Sequence, residues 1–166
     1  MILTKRLISV GNYTISFFEL PRFIDLNIPD SELRKVNISK VDTPESVADN
    51  LYGDSSLDWL VLYTAGIINE YDNWVKDADD IHKLCESKYD DGVTGINYYK
   101  SLLGSVVDHY TSSLYRKGII PVPETVIPVT NYEHEMQLNE KRKTINVINP
   151  QYISGFLRIL ELSLIK

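Results

Sequence analysis

The chain has 166 residues, a length typical of one domain or of one core with appendages. Hydrophobic residues make up 43% and charged residues 24%, a balance that excludes wholesale disorder and collagen-like chains. The formal net charge of -6 repels a phosphate backbone, and the basic residues form only short clusters, which argues against a nucleic-acid-binding protein. The single cysteine excludes an internal disulfide and favours a reducing compartment.

The apolar segments are too short for membrane insertion or secretion. The longest run, from Trp59 to Ile68, is interrupted by Thr64 and Gly66 and falls short of the ~20 residues that a membrane-spanning helix needs. The N-terminal stretch turns polar by Ser9 and lacks the ~7–15 apolar residues of a secretory signal. We therefore expect a core-forming run and neither a span nor a signal.

Two strand patterns open the chain. Residues 6–18 consist of two β-favouring pieces on either side of the turn-forming pair Gly11-Asn12. Residues 33–41 alternate apolar and polar side chains, as a half-buried strand does. An irregular, proline-punctuated connector is expected between them.

Two helices follow in close succession. Thr43 can cap the first, which has Pro44 at its first position and ends where Gly53 permits a left-handed conformation. Ser55 or Ser56 can cap the second, whose apolar residues occupy nearly every side. The second helix is therefore predicted to be buried.

A third helix and a hairpin are predicted next. The helix covers residues 77–89, between an aspartate cap and an Asp-Asp-Gly terminator. The β-favouring stretches 96–100 and 106–110 flank Gly104-Ser105, which predicts a hairpin with a short turn.

The C-terminal third combines an arm, a strand and two helices. Prolines spaced along residues 118–128 exclude a helix or a central strand, so we predict an extended arm. A polar helix capped by Thr130 and a strand at 144–148 follow. The last helix, 153–165, has a broad apolar stripe that is expected to close the core, with part of it free to contact a neighbour.

No pattern in the sequence indicates catalysis or metal binding. His82 and Cys85 lie one helical turn apart, but no second pair completes a tetrahedral zinc site. Asp108-His109 lacks a nucleophile elbow, and neither a dinucleotide-binding glycine motif nor a P-loop occurs. We expect a protein that is not an enzyme, with no catalytic residue, no metal and no cofactor.

Residues 36–54, which run from a strand into a capped helix ending at Tyr52-Gly53, resemble the LysM module. That module is a small β-α-α-β unit. Further blocks follow in a fixed order, and the whole set is similar to the baseplate wedge protein fifty-three family of T-even-type phages. These blocks are residues 57–60, 67–74, 128–133 and 139–145.

This resemblance implies a structural protein of a contractile phage tail that joins neighbouring baseplate wedges around the central hub. Its expected partners are other wedge and hub proteins, met by multiple copies in a symmetric assembly, without nucleic acid or membrane. The expected location is the virion tail baseplate, after synthesis in the host cytoplasm. The alternative is a LysM-type module that binds peptidoglycan or chitin, for which only Tyr52 and Tyr71 offer aromatic platforms.

The predicted fold is α+β: a LysM-like β-α-α-β module with an added β-hairpin, an extended arm and C-terminal helices. Three segments are predicted, an N-terminal arm region at 1–32, the LysM-like core with its following helix at 33–92, and the remainder at 93–166. Five residues are predicted to form the fold-making motif: Tyr52, Gly53, Leu57, Trp59 and Trp74. Eight are predicted protein-interface residues: Ile119, Pro121, Val122, Pro123, Val129, Leu157, Leu160 and Leu164.

Overall fold

Helices and small antiparallel sheets make up the protein. A computed structural model describes residues 7–20 and 28–165, apart from the side chains of residues 71 and 72. Strands pair two by two between helices, so the predicted α+β class is confirmed. The elements in chain order are β1 (Leu7–Val10), β2 (Tyr13–Ser16), β3 (Leu33–Asn37), α1 (Pro44–Tyr52), α2 (Asp58–Thr64), α3 (Glu70–Asn73), α4 (Ala78–Lys88), β4 (Ile96–Ser101), α5 (His109–Arg116), β5 (Val126–Thr130), α6 (Asn131–Arg142), β6 (Thr144–Ile148) and α7 (Ile153–Leu164).

The described residues group into two compact units. The first unit holds the residues up to Val75 together with those from Arg142 onward, and the second holds Lys76–Lys141. In sequence, the second unit is therefore an insertion into the first. The division into segments 1–32, 33–92 and 93–166 remains a prediction. Residues 1–6 and 21–27 of the expected N-terminal arm region lie outside the described residues.

The first unit begins with the predicted hairpin. β1 and β2 pair antiparallel, with Val10 opposite Tyr13. The two-residue turn between them requires a positive φ, which Gly11 supplies at +57°. The β-favouring pieces and their turn are therefore confirmed.

A second sheet joins segments on either side of the insertion. β3 pairs antiparallel with β6, from Leu33 opposite Ile148 to Asn37 opposite Thr144. The backbone N–H of Ile38 donates to Lys143 at 2.8 Å and extends this ladder. Two helices, α1 and α2, follow β3 in the chain before the insertion.

Local capping fixes where α1 and the turn before α2 begin. The Thr43 hydroxyl accepts from the backbone N–H of Ser46, as predicted, and Gly53 ends α1 at φ +73°. The expected serine cap of the second helix is wrong, because the Asp54 carboxylate accepts from the backbone N–H of Ser56 and caps a short 3-10 turn, Ser55–Leu57, that leads into α2. A carboxylate is the stronger acceptor for the orphan N–H groups of a helix start.

The buried residues of the first unit form one apolar cluster. α2 supplies consecutive buried residues from Trp59 to Leu62, and α7 supplies Leu160. This explains the apolar run in the sequence, since α2 is surrounded on nearly every side. Each fully buried aliphatic side chain contributes about 2 kcal/mol of transfer free energy.

The second unit corrects two sequence-based predictions. A tight turn does lie at Gly104-Ser105. The stretch after it pairs with β4 only through a bridge between Lys100 and Val106, and residues 109–116 are helical. β4 pairs instead with β5, and Tyr99 lies opposite Pro128. The predicted hairpin at 96–110 and the arm beyond residue 125 are therefore wrong. The Asp108 carboxylate that caps α5 explains the helix.

Pro128 is compatible with β5 because that strand lies at a sheet edge. Facing β4 are Ile127 and Val129, opposite Lys100 and Tyr98. The alternate residues of an antiparallel strand direct their backbone groups outward, and at Pro128 there is no N–H to leave unpaired. The proline pattern excluded a central strand correctly, but the extended arm that it predicted includes an edge strand from Val126 onward.

The interior of the second unit is partly polar. α6 buries three polar side chains at a four-residue spacing, Asn131, Glu135 and Asn139. Asn131 donates to the Asp91 carboxylate at 2.9 Å and accepts from Asn97 at 3.0 Å. Since these groups are buried, hydrogen bonds offset the cost of removing them from water.

Candidate interaction surfaces

Three of the five predicted fold-making residues lie inside the first unit. Leu57, Trp59 and Trp74 are buried. The indole N–H of Trp74 donates to the backbone carbonyl of Asp42 at 2.7 Å, which joins the loop before α1 to the residue after α3. Buried tryptophans usually find such a partner.

The other two members, Tyr52 and Gly53, stand at the end of α1. Tyr52 is half-buried, and its hydroxyl donates to the backbone carbonyl of Ile148 in β6 at 3.1 Å. Burial raises the pKa of Tyr52 to about 12. The hydroxyl is therefore committed to the first unit, while part of the side chain remains exposed. The side chain of Tyr71, the second proposed platform, lies outside the described residues.

The proposed arm keeps most of its surface residues. Ile119 is 63% exposed, and Pro121, Val122 and Pro123 are also exposed. Val129 is only 2% exposed and belongs to β5. A side chain buried in its own unit cannot contact a neighbour, so Val129 is withdrawn from the proposed surface.

The last helix needs the same correction. Leu160 is fully buried, while Leu157 and Leu164 are half-buried against the core of the first unit. The exposed apolar residues are instead Ile159 and Leu162, with Ile165 directly after the helix. Their three-residue spacing places them on one side of α7. We call these three residues the α7 stripe.

A second exposed apolar feature was missed by sequence reasoning. Leu102 and Leu103 stand 65% and 96% exposed in the turn after β4. The signal was present, because two consecutive leucines beside Gly104 cannot both point inward from a tight turn. We call residues 101–105 the leucine turn.

The residues considered for a zinc site or a catalytic triad, and set aside, have ordinary local environments. His82 is exposed, whereas Cys85 is buried on the same helix and burial raises the pKa of its thiol. Within residues 7–20 and 28–165, no group of three or more His, Cys, Asp and Glu side chains is arranged to hold a metal ion. Asp108 and His109 are exposed, and the Asp108 carboxylate accepts from the backbone N–H of Thr111.

No helix in the described part of the chain combines the length and apolar character needed to cross a membrane. The exposed apolar residues lie instead on a short amphipathic helix, a turn and an arm. Contiguous exposed apolar surface on a folded protein is typical of sites where other proteins bind.

The described residues thus define an α+β protein that displays apolar side chains on folded elements. The sequence model of the base plate wedge protein 53 family matches residues 8–104, and the chain belongs to that family. Membership gives it a structural role in a phage baseplate and a location in the virion tail. None of the curated protein sequences matches the chain.

The family match and the sequence-based resemblance cover different stretches. The match begins in β1, within the N-terminal region that the resemblance left unassigned, and ends in the leucine turn. The blocks at 128–133 and 139–145 lie beyond it. The matched residues therefore include most of the first unit and the first part of the second.

Proposed function

We propose that this protein joins neighbouring wedges of the baseplate around the central hub, as a connector without catalytic activity. Its partners would be other wedge and hub proteins, contacted by several copies in a symmetric ring. The observation that carries this proposal is the presence of separate exposed apolar surfaces on both units, the α7 stripe on the first and the arm on the second.

Two surfaces on two units suit a connector, because a joint must bind at least two neighbours. A ring of identical wedges needs the same joint at every junction, with heterologous contacts that close on themselves. Apolar side chains displayed on folded elements lose little conformational freedom on binding. The net charge of -6 favours protein partners over the phosphate backbone of nucleic acid.

We also propose that β3, α1, α2 and β6 form a LysM-like β-α-α-β module interrupted by the second unit. The order of these elements and the antiparallel pairing of β3 with β6 support this interpretation. In a continuous module the second strand would follow α2 directly, whereas here the second unit intervenes in sequence. The insertion carries the arm and the leucine turn, and β3 pairs with β6 across it in sequence.

The connector role is tested in host cells infected with phage from which the gene for this chain has been deleted. We expect purified wedges that fail to close into baseplates, and we expect added full-length protein to restore closure. Removal of α7 would be a poor variant, because the helix also supplies Leu160 to the core. The double substitution Ile159→Asp and Leu162→Asp changes only exposed side chains.

We expect the α7 double variant to fold and to reduce closure of the wedges by about tenfold or more, as loss of a central apolar contact does. Val41→Asp is a matched control, since Val41 is 76% exposed and lies between β3 and α1. Normal closure without the chain would contradict the connector role. Normal closure with the double variant would remove only the α7 stripe from it.

The rival function is glycan binding, which the β-α-α-β order also favours. Titration of peptidoglycan and chitin fragments onto the full-length protein distinguishes the two. Saturable binding at micromolar concentrations would favour the glycan reader. No binding, together with restored wedge closure, would favour the connector. A zymogram on peptidoglycan tests the remaining possibility of a muralytic enzyme.

A further inference from the structure

The leucine turn presents its side chains from a backbone that is already fixed. The N–H of Ser101 donates to Ser105 at 2.8 Å and the N–H of Gly104 donates to Ser101 at 2.9 Å. The N–H of Leu102 donates to Thr125 at 2.9 Å, which ties the turn to the residue before β5. Little conformational entropy remains to be lost when such a turn binds.

The exposed apolar surface continues from the turn into neighbouring segments. Val106 is 68% exposed and belongs to the bridge with Lys100. Residues 101–107 contain no charged side chain, and neither do residues 118–123 of the arm. The exposed side chains of Leu102, Leu103 and Val106 are apolar, so a partner that covers them must offer apolar surface.

Backbone pairing at β5 is closed to an incoming strand. Along the outer edge, the N–H of Val126 donates to Pro123, Pro128 has no N–H, and the N–H of Thr130 donates to the Glu133 carboxylate. An added strand would find no free donor on this edge of β5. Recognition at this end of the sheet therefore depends on side chains rather than on strand addition.

Charged residues near the leucine turn limit which kinds of partner can bind it. Asp108 follows the turn on one side and Glu124 precedes Thr125 on the other, and both are exposed. Lys100 precedes the turn and is half-buried, so these three residues together leave a net negative charge beside it. Hydrogen bonds from Thr111 lower the pKa of Asp108, so its carboxylate is ionised at neutral pH. Two copies that met turn to turn would bring like charges together, and an anionic lipid surface would be repelled in the same way.

We infer that the leucine turn inserts into an apolar pocket with a neutral or basic rim on a different protein of the wedge. This inference rests on the proposed function and adds a contact site with a defined partner chemistry. Leu103 is the central side chain, because it is 96% exposed at the tip of a fixed turn.

The test uses wedges purified from cells infected with the gene-deleted phage, with full-length protein added in known amounts. Leu103→Asp should fold like the wild type, since the side chain is almost fully exposed, and should weaken binding to wedges about tenfold or more. Leu103→Met keeps an apolar side chain and should bind wedges nearly as tightly as the wild type. Val41→Asp should leave binding unchanged.

A fluorescent label gives a second readout. Cys85 is the only cysteine in the sequence and is buried, so Leu103→Cys supplies one accessible thiol for an environment-sensitive bimane dye. We expect the dye emission to shift to the blue when wedges are added, because position 103 enters an apolar pocket. No shift at saturation would overturn the inference.

The outcomes separate this inference from the proposed function. If Leu103→Asp binds wedges as tightly as the wild type, the turn contact is wrong and the connector role stands. If the wild type itself does not bind wedges, both are wrong. A Leu103-dependent dimer in sedimentation, or Leu103-dependent binding to vesicles of phosphatidylcholine and phosphatidylglycerol, would also overturn the inference by identifying another occupant.

Discussion

Asn139 fastens the first residue of the second unit to its last helix. The side-chain amide accepts from the backbone N–H of Lys76 at 2.8 Å and donates to the backbone carbonyl of the same residue at 3.0 Å. Both bonds are made by a side chain that is 3% exposed. Removal of this amide would delete both hydrogen bonds to Lys76, each of which contributes about 1 kcal/mol.

We expect Asn139→Ala to lower the free energy of unfolding by about 2 kcal/mol, measured by urea denaturation of the full chain. Asn50→Ala makes the same chemical change at an exposed position of α1 and should alter stability by no more than a few tenths of a kcal/mol. Equal effects of the two substitutions would show that the Asn139 bonds contribute nothing specific.

Glu135 shows how a buried charge is held in the same helix. Burial alone would raise the pKa of its carboxyl, but hydrogen bonds from Lys88 and Tyr89, each 2.7 Å long, and the charge of Lys88 outweigh this and lower it. A lowered pKa in the folded state stabilises the fold above the unfolded pKa, and this stabilisation is lost as the pH falls through the folded value. The second unit is therefore expected to weaken in acid.

Tyr52 carries the opposite pH dependence. Its pKa in the folded protein is raised to about 12, above the value of about 10 in an unfolded chain. The folded state therefore holds the proton more tightly, and stability from this group is complete below about pH 10 and is lost as the pH rises toward the folded value.

The variant Tyr52→Phe should lose about 1 kcal/mol of stability at neutral pH, because the hydrogen bond to Ile148 is removed. Its unfolding free energy should then fall less steeply than that of the wild type in alkaline solution. Thermal denaturation over a pH series measures both effects. Tyr110→Phe is the control, since Tyr110 is 73% exposed, and parallel pH profiles for Tyr52→Phe and the wild type would contradict the account.

At the scale of elements, helix ends were the most predictable features. The caps at Thr43 and Thr130 and the terminator Gly53 depend on local hydrogen bonds, so a few neighbouring residues determine them. Strand pairing was less predictable. The sequence of 96–110 contains a turn signal, but the choice of β5 as the partner of β4 depends on residues about thirty positions away.

Two glycine substitutions test the predicted helix geometry with opposite signs. Gly53→Ala should destabilise the protein by about 1 kcal/mol, because φ is +73° and L-residues avoid that region. Gly155→Ala should stabilise it by about 0.5 to 1 kcal/mol, because this glycine lies inside α7 with open space around the added methyl group.

Urea denaturation of both variants supplies the measurement. A Gly53→Ala variant as stable as the wild type would show that the end of α1 is not held in the left-handed conformation. A destabilised Gly155→Ala variant would show that the methyl group meets a neighbour.

At the scale of the whole molecule, the sequence predicted the composition of elements better than their grouping. No local sequence signal marks the second unit as an insertion between α3 and β6. The insertion becomes visible only because β3 pairs with β6 across the intervening chain. The burial of the residues proposed for the interface was hard to predict for the same reason. Apolar periodicity identifies α7 as amphipathic, but which of its apolar positions face the core depends on packing.

The proposed role as a baseplate connector would explain why the described residues of both units display apolar side chains. The surfaces would then be covered in the particle and exposed only in the isolated protein. The connector role predicts where in the particle the protein lies and that it is present in several copies. Both must be measured in the particle and not in the isolated protein.

The most direct measurement is electron cryomicroscopy of intact tails from the phage that encodes the chain. We expect density for the protein at the baseplate, between adjacent wedges, in copies related by the rotational symmetry of the ring. Absence of the protein from purified tails, or density confined to another part of the particle, would contradict the account.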